Sequence, residues 1–172
     1  MDNIFNTLTQ FTVETTRDEV VGAFPVVALS KPYRPAQFNA NVPLVTKAII
    51  GDHTVVVEFH FNDDRNLAHC TINFRSSDID EIVNQLPQRL DQMITDAGVG
   101  PMVYVQTEAD MSFNYPLRSW SDDEHDLILC LSAGYDPEAY TTWAMATLDI
   151  AYHEPSAGAD QGGGSDPTLM AA

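Results

Sequence analysis

The stretch LVTKAIIGDHTVVVEFHFNDDRNLAHCTINFRSSDIDEIVNQLPQRLDQMITDAG, residues 44–98, decides the fold. It reads as a three-strand meander running into one amphipathic helix. Residues 45–50 and 54–61 are rich in β-branched and aromatic side chains, which suit a pleated, half-buried surface. Gly51-Asp52 between them is a hairpin signal, because glycine supplies the positive φ of a two-residue turn. Val55, Val57, Phe59 and Phe61 alternate with Thr54, Val56, Glu58 and His60. After the polar turn at residues 62–66, Ala68, Cys70, Ile72 and Phe74 alternate with His69, Thr71, Asn73 and Arg75. Pairing the two apolar sets predicts a sheet with one dry face and one wet or contacted face.

The spacing then predicts a helix over residues 77–97. Ser76, Ser77 and Asp78 can cap its free amide groups, and Asp80 and Glu81 suit the positive end of its dipole. Ile79, Ile82, Val83, Leu86, Leu90, Met93, Ile94 and Ala97 recur at helical spacing, and Gly98 is a stop. Pro87 removes one intrahelical hydrogen bond, so a kink is expected near Leu86.

Outward from this stretch the signals weaken. Residues 1–43 read as an N-terminal arm. Ile4, Phe5, Leu8 and Phe11 can form a short helical face, residues 20–29 suggest a strand, and residues 31–43 an extended proline-rich loop. Such an arm crosses either its own domain or a neighbour. Residues 102–113 alternate as a strand, 117–126 read as a loop, 127–131 as a short central strand and 132–140 as a second loop. Residues 141–153 form a final strand, and residues 155–172 a Gly/Ser/Asp tail. The domain proper is residues 44–154. Two architectures fit. One is α+β, an antiparallel sheet of six or seven strands with the helix on one face; the other is a jelly-roll β-sandwich with an inserted helix. The first is favoured, because one long stripe suffices to cover one sheet.

Charge narrows the function classes. With 25 acidic residues against 8 basic ones, the net charge is −17. Such a surface repels phosphates, so direct nucleic-acid binding is not expected. No apolar run approaches the roughly 20 residues of a membrane helix. The first residues lack a signal-peptide pattern, so synthesis in the cytoplasm is the expectation. Cys70 and Cys130 stand in predicted strands without C-x-x-C spacing and are expected as free thiols.

Candidate sites are few. His60 and His69 flank the 62–66 turn on the polar face, with Glu58 one step along; two imidazoles and a carboxylate are a zinc or iron ligand set. The acidic groups at Asp63-Asp64 and residues 122–126 lack EF-hand spacing. No nucleophile elbow or phosphate-cradling loop is present, so no catalytic residue and no cofactor is assigned. Tyr115, Trp120, Tyr140 and Trp143 gather near loops, where aromatics serve either as interface anchors or as lids on a core. The expectation is a non-enzymatic structural protein acting through contacts with other chains, chiefly copies of itself, such as a subunit of a virus-like or phage-like particle. The runner-up is an acidic inhibitor or immunity-type protein that mimics nucleic acid and occupies a basic partner. A metal-dependent enzyme comes third.

Overall fold

The computed structural model describes residues 3–24, 43–104, 115–136, 138 and 141–155. Strands β1 (Leu44–Ile50), β2 (His53–Phe61) and β3 (Leu67–Ser76) form the first meander. A second comprises β4 (Val103–Tyr104), β5 (Tyr115–Ser121), β6 (His125–Asp136) and β7 (Thr141–Tyr152). They join in one antiparallel sheet of order β1-β2-β3-β7-β6-β5-β4, six full strands and the two-residue β4. The fold is broadly α+β. The described strands make a single sheet rather than the two layers of a jelly roll. The chain leaves β3 at the middle of the sheet, passes through the helical region and restarts at the far edge, so that β7 returns to pair with β3.

Local chemistry explains the first meander. Gly51 has φ of 61° in a two-residue turn closed by Ile50 and His53. The positive φ is what calls for glycine at this site; a Cβ there would meet only the flexible Arg89 side chain, which can move aside. In the 62–66 turn Asn62 accepts the Asn66 amide hydrogen on its side chain (3.0 Å) and the Arg65 amide on its carbonyl (3.0 Å). The pairing shifts between His60 and Phe61, a bulge that puts Leu67 rather than Ala68 in the core.

The helix departs from the expected simple kink. A π-helical turn (Glu81–Gln85) precedes α3 (Leu86–Asp96), in which Pro87 sits in the first turn. Proline has no N–H to donate, so one intrahelical bond is lost at this position. The wide turn absorbs the irregularity, and Leu86 donates to the Glu81 carbonyl. Ile82, Leu86, Leu90 and Ile94 stay buried in the same cluster as the inward side chains of the sheet, while Ile79 turns outward. Burying four such side chains stabilises by about 1.5–3 kcal/mol each. That outweighs one imperfect hydrogen bond at about 1 kcal/mol.

Residues 3–24 cross their own domain. Helix α1 (Phe5–Leu8) places Phe5 and Leu8 at 0% exposure, and Phe11 stacks edge-on against Phe59. The Tyr152 hydroxyl donates to the Leu8 carbonyl (3.2 Å), and the Leu67 amide to the Thr15 carbonyl (2.8 Å). Where residues 20–29 suggested a strand, Arg17–Ala23 is helix α2; residues 25–30 lie outside the described set. Its cause is a reciprocal cap, in which Thr16 N–H donates to Glu19 (2.7 Å) and Glu19 N–H to Thr16 (3.4 Å).

Two further expectations are corrected. Residues 117–126 are not a loop throughout, because β5 runs to Ser121 with a bulge after Pro116, one of the places a ladder tolerates proline. Residues 132–136, expected as loop, extend β6. The proline-rich segment 31–42, most of the 102–113 strand and the tail from residue 156 lie outside the described residues.

Candidate interaction face

One side of the sheet carries the core and the other is open among the described residues. Strand alternation decides which side chains stand on the open side. In β1, Leu44 and Ile50 are buried while Val45, Lys47 and Ile49 point away; in β6, Leu127 and Leu129 are buried while Ile128 points away. Directly paired residues share a face, so one register row crosses the sheet: Val45, Glu58, Thr71, Asp149, Ile128, Ser119 and Val103.

This face exposes aliphatic surface. Among the described residues five large hydrophobics are exposed, and three stand here: Ile49 (51%), Ile128 (41%) and Val103 (57%). They span the sheet from one edge strand to the other. Polar pairs lie between them, with the Thr71 hydroxyl on Asp149 (2.9 Å) and the Thr147 hydroxyl on Asn73 (3.1 Å).

His60 and His69 do meet, as directly paired residues of β2 and β3. Their rings stack with centroids 4.2 Å apart and planes 8° from parallel, and the Glu58 carboxylate lies 3.7 Å from His60 Nε2. Burial, reinforced by the neighbouring His69, holds the His60 imidazole below its ordinary value; Glu58 and Asp149 act in the opposite sense. Stacked rings run parallel rather than converging on one point. Among the described residues no group of three His, Cys, Asp or Glu side chains is arranged to hold a metal ion.

The aromatic candidates separate. Trp120 is 1% exposed and its indole N–H donates to Asp91 (2.9 Å), so it serves the core and ties β5 to α3. Tyr115 begins β5, Trp143 lies within β7, and Tyr140 is outside the described residues. The cysteines are free. Burial pushes the Cys70 thiol far up, and it raises half-buried Cys130, on the open face, with help from Asp149.

Residues 122–126 turn out to be an internally bonded turn. Asp122 accepts the Glu124 and His125 amide hydrogens (both 2.8 Å) and contacts His125 Nδ1 (2.8 Å). Burial works to raise its carboxyl, but these bonds and the His125 ring outweigh it and hold it below the usual range. Beside this turn a cleft of about 380 Å³ is lined by Glu14, Glu124 and Glu154 with Thr12, Val13 and Pro155.

Sequence reasoning missed Ile128, which sits inside an unbroken apolar run read as a short central strand. The available signal was the run itself, since on a sheet with one covered face every second residue of such a run faces outward. No helix is long and apolar enough to cross a membrane among the described residues. No protein-family model matches the chain, and no curated protein and no solved structure shows significant similarity to it.

Proposed function

We propose that this chain is a non-enzymatic assembly protein that works through contacts with other protein chains. The observation that carries the reading is the aliphatic set Ile49, Ile128 and Val103 on an open sheet face of a strongly acidic chain. Three of the five exposed large hydrophobics among the described residues fall on this one face, where contact with another chain would bury them. Membership of a virus-like or phage-like particle is the finer form of the same proposal; its support is the Pro-rich and Gly-rich composition of the segments around residues 31–43 and 155–172. The test is mass in solution by light scattering, in low and in molar salt. Self-association strengthened by salt, which screens the acidic repulsion, is the expected result, and a monomer in both overturns the reading.

A second reading has its own observation. The cleft beside Glu14, Glu124 and Glu154 gathers three carboxylates where a basic side chain of a partner could seat. On that reading the chain is an acidic inhibitor of a basic protein. Salt-sensitive binding to a basic partner, weakened by Glu124→Gln, would favour it.

A further inference from the structure

We propose that the open sheet face docks a second copy of this chain, face to face across a two-fold axis, closing two sheets into a sandwich. This rests on the assembly reading and names its surface and symmetry.

Charge points to a second copy as the occupant. Two chains of net charge −17 repel over most of their surface. By register the open side of the strands holds Lys47 and Arg75 against Glu58, Asp126, Asp136 and Asp149, a milder acidic excess than in the whole chain, which has 25 acidic residues against 8 basic. Two copies therefore approach through this face at a lower electrostatic cost than the chain's average charge would impose.

The charges are also sorted along the strands. Lys47 shares a row with Val56, Asn73, Thr147 and Cys130. The next row holds Glu58 and Asp149, and the one beyond holds His60, His69 and Asp126. A two-fold axis lying between the sheets and crossing the strands reverses strand direction in the partner. Placed between those two rows, it lays the Lys47 row of one copy over the Glu58–Asp149 row of the other, twice over; each strand then faces its own copy, so Lys47 comes over Val45 and one strand from Glu58 of the other copy. A two-fold along the strands would set like rows together. Isologous contacts of the first kind are self-complementary by construction.

The area is of the order a stable dimer uses. Strands about 4.8 Å apart, with same-face residues about 6.8 Å apart along each, give a face on the order of 700 Å². Stable complexes bury about 800 Å² per partner. Two sheets stacked about 10 Å apart would interdigitate Ile128 and its neighbours as in a β-sandwich core.

The experiment is sedimentation equilibrium on the full chain and on Ile128→Glu, Lys47→Glu, Glu58→Lys and the Lys47→Glu/Glu58→Lys double variant, with circular dichroism to show each is folded. The three single variants are expected to raise the dimer dissociation constant by roughly tenfold or more. The double variant restores the opposite-charge pairing and most of the affinity. Cys130 gives an independent readout. Its thiol is half-buried on this face while Cys70 is fully buried, so maleimide labelling of the native protein reports Cys130 and slows as the dimer forms. A chain that stays monomeric in low and molar salt overturns this proposal and the assembly reading together. An oligomer indifferent to Ile128→Glu, with Cys130 labelling at the monomer's rate, overturns the face alone and leaves assembly standing.

Discussion

His125 reaches across 114 residues of chain to Phe11, its Nε2 donating to the Phe11 carbonyl at 2.9 Å, while Nδ1 meets the Asp122 carboxylate at 2.8 Å. The ring is 3% exposed and stacks edge-on against Tyr152. It thereby fastens the N-terminal segment to the start of β6. In His125→Ala the Phe11 carbonyl loses its partner and a cavity opens. Stability to urea should fall by about 2–4 kcal/mol. Faster amide exchange in residues 5–16 than in β2 would show that the loss begins at this fastening.

Acid should unfold the protein through identifiable carboxyls. Asp122 is held low as described; Asn84 and Gln85 hold Asp80 low, and the Thr16 backbone and side chain hold Glu19 low. A carboxyl depressed in the folded state binds fewer protons than the unfolded chain. Its stabilisation is therefore complete above the unfolded value and lost as pH falls through the folded one. Asp122→Asn should flatten the acid limb of a stability-versus-pH curve below about pH 4. An unchanged limb would show that Asp122 is not among the responsible groups.

His60, stacked on His69, should titrate low. Burial first and the neighbouring imidazole second lower His60, so the folded protein resists its protonation. For a depressed histidine this destabilises the fold as pH drops below the ordinary imidazole value, levelling off below the folded one. Two-dimensional NMR should show His60 titrating below a free histidine. His69→Asn should move it upward and Glu58→Gln further down.

Trp120 and Asp91 test the link between β5 and α3. Trp120→Phe removes the indole N–H and leaves Asp91 without that donor; a loss of about 1–3 kcal/mol is expected by thermal or urea unfolding. Asp91→Ala removes the acceptor instead and leaves the indole nitrogen unpaired. The double variant Trp120→Phe/Asp91→Ala should therefore cost less than the two single losses added together.

Legibility followed locality. The β1–β2 turn at Gly51, the alternation of β2 and the stripe Ile82, Leu86, Leu90, Ile94 were readable, because each signal lies within a few residues of its cause. Helix α2 carried a readable capping box at Thr16 and Glu19, yet the apolar run at Val20 drew the reading toward a strand. Strand β5 had no such signal. Arg118, Ser119 and Ser121 read as loop, and they are strand because β6 supplies the ladder beside them. His60 and His69 were placed as neighbours by hairpin register, but whether their rings converge or stack is a matter of side-chain angles that register leaves open.

By itself, then, the sequence determined the first meander, the amphipathic helix after it, the broadly α+β class and the acidic surface, since periodicity and charge act locally. Only the tertiary structure decided that β7 pairs with β3, that Phe5, Leu8, Phe11 and Val20 of the N-terminal segment lie in their own domain's core, and that Trp120 faces inward while Ile128 faces outward. Those outcomes depend on contacts between residues far apart in the chain. Their free energy comes from shared burial, which no short stretch of sequence contains.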